Sequence, residues 1–257
     1  MKPRLLALAL VTALATTANA WGQSAVRLGE RGQLIVTADR FLPVFGYTVQ
    51  AITVTEGDSK TTTTDSGASM AFTVGREPSF GVAHALPRLA VDYTFQKRFT
   101  LGGSFALALG IDGTRVAEHV PAVGPTTVRE NTRPGTTIVG FAPRLGYVFP
   151  LGKSFAFWPR AGFAFYSISS AREETSLEGH TTTASQTDTL FSLDFDPQFV
   201  WSPLAHVLVH AGPIANVPLA GSHETAFEQG TNKKERSDDM TVFHLGISAG
   251  LGMWFDL

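Results

Sequence analysis

Between Thr137 and Ser169 the chain alternates with a period of two. Val139, Phe141, Pro143, Leu145, Tyr147 and Phe149 are bulky and apolar. Between them stand Gly140, Ala142, Arg144, Gly146 and Val148, mostly small, with one charge. After the link Pro150-Leu151-Gly152-Lys153 the pattern resumes. Phe155, Phe157, Pro159, Ala161, Phe163 and Phe165 share one parity; Ala156, Trp158, Arg160, Gly162, Ala164 and Tyr166 share the other. A period of two belongs to a β-strand, and two such runs around a short Gly-containing link predict an antiparallel hairpin.

Six further stretches carry the same period. Gly32 to about Thr55 sets Leu34, Val36 and Ala38 against Ile35, Thr37 and Asp39. It is longer than one membrane crossing needs, so it reads either as one projecting strand or, with a turn at Pro43, as two. Leu86 to Phe95 has Leu89, Val91, Tyr93 and Phe95 on one face and Arg88, Ala90, Asp92 and Thr94 on the other. Phe99 to Gly110 sets Phe99, Leu101, Phe105, Leu107 and Leu109 against Gly102, Ser104, Ala106 and Ala108. Then come Thr189 to Trp201, with Ser192, Asp194, Asp196 and Gln198 on its polar face, and Val207 to Val217. The last run begins at Met240 and places Phe243, Leu245, Ile247, Ala249, Leu251, Met253 and Phe255 opposite His244, Gly246, Ser248, Gly250 and Gly252.

The bulky face is the oily one, and the other face is Gly and Ala with isolated charges. That is the inverted pattern of a membrane barrel, apolar outside and small or polar inside, at about ten residues per strand. The connections support it. Polar stretches at Glu56–Ala83, Ile111–Gly135, Ala171–Thr187 and Ala220–Asp239 alternate with short turns at Gln96-Lys97-Arg98, Pro150–Lys153 and Ser202-Pro203-Leu204. Such barrels have short turns on one side and long loops on the other. The expected fold is all-β: a membrane-spanning antiparallel up-and-down β-barrel of eight strands, or ten if Pro43 is a turn. Closure would remove the edge strands that invite pairing.

The N-terminus carries an export signal. Lys2 and Arg4 precede the short apolar run Leu5 to Ala15, and Ala18-Asn19-Ala20 is a small-x-small cleavage site. We expect a signal peptide over 1–20 cleaved after Ala20, a short periplasmic segment over 21–31 and the barrel over 32–257. No later run reaches the ~18 continuous apolar residues of a membrane helix.

Over about Gly32 to Leu257 the chain resembles small outer-membrane barrels of the OmpX/OmpA transmembrane type. It is similar also to an uncharacterised group of outer-membrane β-barrel proteins from Gram-negative bacteria, myxobacteria among them. The likeness lies in the architecture and in the phrases GQLIVTADR, APRLGYVF, FWPRAGFAFYS and the Gly-rich last strand. In such proteins the last strand carries a signal for the barrel-assembly machinery, and Ser248, Gly250, Met253 and Phe255 match it. Asp256 and Leu257 follow the aromatic that usually ends the chain. The resemblance implies location in the cell outer membrane, with lipid and, during insertion, the assembly machinery as partners.

Composition narrows the chemistry. A formal charge of −2 gives no nucleic-acid partner, and the absence of Cys excludes disulfides and thiolate metal sites. The inward parity carries Arg88, Asp92, Arg144, Arg160, Asp194, Asp196, His206, His210 and His244. Arg144 and Arg160 sit roughly opposite each other across the Pro150–Lys153 turn, and like charges there need carboxylates. Asp92, Asp194 and Asp196 are the expected partners. The network reads as a salt-bridged plug, because an eight-stranded barrel is just wide enough for its own side chains; a selectivity ring is the functional alternative.

Gly246-Ile247-Ser248-Ala249-Gly250 matches G-x-S-x-G but lies in an alternating strand, not on the strand-to-helix elbow that makes such a Ser a nucleophile. The three His have no metal-motif context. No enzyme activity, cofactor or metal is expected. Tyr147, Trp158, Tyr166, Trp201 and Trp254 are candidates for interfacial girdles, although the parity of Trp158 and Trp254 points inward. The expected role is a structural or surface-interacting barrel with a largely filled lumen, meeting an unidentified extracellular ligand at its Thr-rich and charged loops. The alternatives are a narrow pore for small solutes or ions, and an outer-leaflet lipid-modifying enzyme.

Overall fold

The computed structural model describes residues 28–56, 59–70, 74–75, 83–110, 113–119, 127–133, 135–175, 181–229 and 232–257. The signal-peptide expectation falls on 1–27, outside the described residues. Among the described residues thirteen strands follow one another: β1 Gln33–Glu56, β2 Ser59–Met70, β3 Val74–Gly75, β4 Arg88–Gln96, β5 Phe99–Ala108, β6 Gly113–His119, β7 Thr127–Arg133, β8 Thr136–Tyr147, β9 Phe149–Pro150, β10 Phe155–Thr175, β11 Thr181–Leu204, β12 Val207–Gln229 and β13 Asn232–Asp256.

Eight of them close a ring. β1, β4, β5, β8, β10, β11, β12 and β13 each pair antiparallel with the next, and β13 returns to β1 with Gln33 opposite Asp256. Closure gives every barrel strand a neighbour on both sides, which hydrocarbon demands because it cannot satisfy a free N–H or C=O. β1 is one strand, not two. Pro43 sits in an irregular stretch of its pairing with β13, and Arg40 beside it has a φ of 54°. Below this irregularity β1 pairs with β4 over Leu34–Asp39; above it, with β2 over Phe45–Glu56.

The outside is oily. Leu89, Leu101, Phe105, Leu107, Phe141, Leu145, Phe155, Phe199, Leu245, Ile247 and Leu251 are all more than two-fifths exposed. Water would not tolerate so broad an apolar surface, and hydrocarbon covers it without cost. The chain is therefore a membrane-spanning up-and-down barrel of eight strands. Near the end with the short turns, Phe95, Phe99, Tyr147, Phe149, Phe157 and Phe199 touch in sequence around the exterior, with ring centroids 4.5 to 6.3 Å apart. Trp201 is exposed at the same end of β11.

Polar stretches expected as loops are largely sheet. β10 to β13 run 21 to 25 residues, about twice a membrane crossing. β10 and β11 stay paired up to Thr175 opposite Thr181, and β12 and β13 up to Gln229 opposite Asn232. β2 extends the same sheet beside β1, and β6 with β7 makes a separate hairpin within the stretch 111–135. With no oily solvent on either side there is no apolar alternation to read, while the Thr-rich composition still favours strands.

Gly162 allows two strands to approach. A Cβ there would lie 2.0 Å from the Pro143 carbonyl oxygen, whereas a Cβ on Gly152 in the short turn would meet nothing within 4 Å. Gly162→Ala should lower barrel stability by about 1–3 kcal/mol, the usual cost of overpacking, and Gly152→Ala should be silent; urea titration of the heat-modifiable band in lipid vesicles measures both. Leu145→Arg, placing a charge on the exposed apolar face, should cost about 2–4 kcal/mol in the same assay.

Candidate functional site in the barrel lumen

The lumen is stacked in three layers. Nearest the short turns lies an apolar layer of Leu28, Ile35, Val148, Ala156, Trp158, Val200, Leu208 and Trp254. The chain before β1 closes this end: Leu28 is buried, the Arg98 N–H donates to the Gly29 carbonyl at 2.7 Å, and the Gly32 N–H donates to the Thr94 carbonyl at 2.8 Å. At the other end Ala83, Ile138, Ala142, Ala164, Tyr166, Ile168, Leu190, Met240 and Val242 form a second apolar layer. A helical turn over 83–85 drops into it. There the His84 ring stacks on His244 at 4.9 Å and meets Tyr166 edge-on at 4.8 Å.

Between these layers sits a charged one. Arg144 donates from Nε to Asp92 Oδ1 at 3.0 Å and from Nη2 to Asp92 Oδ2 at 2.5 Å, and a third bond reaches Asp39. Arg160 donates to Asp39 Oδ2 at 3.2 Å and to Asp196 Oδ2 at 2.5 Å. Arg40 bonds Asp194 Oδ1 at 3.0 Å and the His84 carbonyl at 2.6 Å. Arg88 reaches Asp194 Oδ2 at 3.4 Å and donates to the Tyr166 hydroxyl. Asp39 also accepts from Thr37 at 2.7 Å, and His210 Nε2 lies 3.1 Å from it. Arg160 stacks over Trp158 at 4.7 Å, so the charged layer rests on the apolar one.

The register explains the pairing. Arg160 stands directly across from Asp196 on β11. Arg144 stands across from Gly102 on β5, and Gly102 across from Asp92 on β4. With no side chain between them, the guanidinium reaches over a whole strand. Arg144 and Arg160 are diagonal, each opposite a glycine, Gly162 and Gly146. The carboxylate between them comes from across the barrel. Four Asp (39, 92, 194, 196) face four Arg (40, 88, 144, 160), and the formal charge of the layer cancels.

All six residues expected in the network are buried here, but Asp194 serves Arg40 and Arg88, not Arg144 or Arg160. Sequence reasoning missed Asp39 and Arg40 as members. Their parity in Leu34–Asp39 held the signal for Asp39; Arg40 turns inward only because the irregularity breaks that parity. His206 is a correction: it lies in the turn before β12 with φ of 64°, not on the inward face, and its Nδ1 lies 3.1 Å from the Trp254 carbonyl oxygen. His210 and His244 do face inward. Trp158, Tyr166 and Trp254 are corrections as girdle candidates, being fully buried in the lumen, while Trp201 and Tyr147 face out. Ser248 and Gly250 are buried mid-strand, and Met253 and Phe255 face out at the short-turn end of β13.

No family model and no curated protein matches this sequence. Among solved structures the chain is similar to Ail, the attachment invasion locus protein of Yersinia pestis, at 12% identity over 88% of this chain and 99% of that one, with a TM-score of 0.32. It is similar to the outer membrane protease OmpT from Escherichia coli at 10% identity, covering 90% and 100%, with a TM-score of 0.40. A major outer membrane protein from Thermus thermophilus matches at 14% identity, covering 82% and 99%, with a TM-score of 0.38.

Removing one partner of a buried pair strands the other charge. Arg144→Met should therefore cost about 3–5 kcal/mol. Arg144→Met combined with Asp92→Leu should recover part of that loss, and a double-mutant cycle by denaturant titration reads the coupling.

Proposed function

We propose that the protein is an integral outer-membrane barrel of the OmpX/OmpA-like kind, with a sealed lumen and a structural or surface-interacting role. The observation that carries this reading is the charged layer: each of its four Arg is paired with an Asp and its formal charges cancel, leaving no net charge to attract a passing ion. Apolar layers above and below add to the seal. In this reading the signal over 1–20 delivers the chain to the periplasm, and Ser248, Gly250, Met253 and Phe255 present it to the assembly machinery. The short turns and the 28–32 segment then face the periplasm, and the long sheet extension faces outward as the surface on display.

The folded protein in planar lipid bilayers should show no steady single-channel conductance at neutral pH. Steady conductance that disappears in Arg144→Ala or Arg160→Ala would replace this reading with the narrow-pore alternative.

A further inference from the structure

The charged layer is neutral as a whole but polarised along the lumen. Asp39, Asp92 and Asp196 serve Arg144 and Arg160, three carboxylates for two guanidiniums. Asp194 serves both Arg40 and Arg88. The excess of positive charge therefore lies toward the end that the turn over 83–85 enters. Arg40 donates to the His84 carbonyl at 2.6 Å, and Arg88 donates to the Tyr166 hydroxyl, whose ring meets His84 edge-on.

The turn is not part of the wall. Ala83, His84 and Ala85 lie between β3 and β4 and outside the ladders of both. His84 and His244 are buried, and their rings stack with centroids 4.9 Å and planes 18° apart. Among the described residues, the charged and titratable groups around this stack are Arg40 from β1, Arg88 from β4, Tyr166 from β10 and Asp194 from β11. β12 places the neutral Asn216 directly across from His244. Neutral imidazoles fit these surroundings. A proton on either ring adds a cation beside two guanidiniums whose one carboxylate is already shared, in a lumen where water screens little. Imidazole is the side chain that gains charge between about pH 8 and 5. The closed state also leaves polar groups unsatisfied: both amide atoms of buried Asn216 and the hydroxyl of buried Ser192 lack a hydrogen-bond partner among the described residues. Opening this end to water supplies partners.

We propose that residues 83–85 form an acid-released plug, expelled from the lumen when His84 and His244 take up protons. Release carries His84 into water and uncovers Arg40, Arg88 and Asp194. The layer of Trp158 and Trp254 stays in place at the far end, so release opens a polar cup and not a pore. Opening takes up protons, so acid favours it. With two imidazoles the open fraction rises by up to about a hundredfold per pH unit below about pH 6.5.

The chain has no Cys, so a single introduced thiol reports on its own site. Ala85→Cys places one on the plug, at a small cavity; Gly152→Cys places a reference thiol in the short turn, where a Cβ meets nothing. The full chain, folded in detergent micelles, is treated with 4,4′-dithiodipyridine, which reacts with thiols in acid as well as at neutral pH. Relative to the reference, the thiol at position 85 should react at least about tenfold more slowly at about pH 7.5, and that protection should fall by about tenfold or more at about pH 5. His84→Gln combined with His244→Gln should keep the protection in acid. Asn216→Asp, which sets a carboxylate across from His244, should keep it too, and it decides the matter if the Gln pair does not fold. Unchanged protection of the Ala85→Cys parent in acid, release that persists in a folded Gln pair, or an Asn216→Asp variant that releases as readily as the parent overturns the proposal. So does a heat-modifiable band that is lost at the same pH, because release then reports unfolding of the whole barrel.

Discussion

Each barrel strand lies between two environments, neither of them water. Outside is hydrocarbon; inside is a lumen too narrow for bulk solvent and filled by side chains from opposite walls. A charge turned inward must therefore find its counter-charge within the protein. Burying an ion costs several kcal/mol even after relaxation, and only a complete set of partners offsets it. In the central layer each of the four Arg is paired with at least one of the four Asp, with Thr37, Tyr166, Gln198 and the His84 carbonyl completing the bonding.

This constraint reaches into the backbone. Arg144 can grip Asp92 from two strands away only because Gly102 stands between them without a side chain. Gly146, opposite Arg160, leaves room for Thr100, the Trp158 ring and the Arg160 stem, while Gly162, opposite Arg144, lets the two backbones approach. The irregularity in β1 turns Arg40 inward beside Asp39, placing both signs of charge near one point of one strand. Arg144 and Arg160 each stand opposite a glycine, which contributes almost no volume to a lumen of fixed width.

Above the membrane the constraint relaxes. The same strands continue, but water lies on both faces and the sequence becomes Thr, Ser and charge. His223 Nδ1 lies 2.5 Å from Asp188 there, and Arg236 bonds Asp238 on its own strand at 2.9 Å and Glu56 on β1 at 3.2 Å. The His223–Asp188 and Arg236–Glu56 pairs tie the extension together across strands.

The sequence by itself determined the strand period, the number of barrel strands once Pro43 is read through, and the side of each strand that meets lipid. These are local properties: a strand has two faces, and the residues on each name its solvent. It also placed six of the eight charges inside. Only the tertiary structure decided which carboxylate serves which guanidinium, because partners such as Asp39 and Arg144 are 105 residues apart and meet only when the ring closes. It alone turned Arg40 inward, set His84 into the lumen on a turn from outside the barrel wall, moved His206 to a turn, and made sheet of stretches whose polarity reads as loop. Period-two alternation is visible where one face is oily; where water bathes both faces, the pairing of strands is a fact of three dimensions.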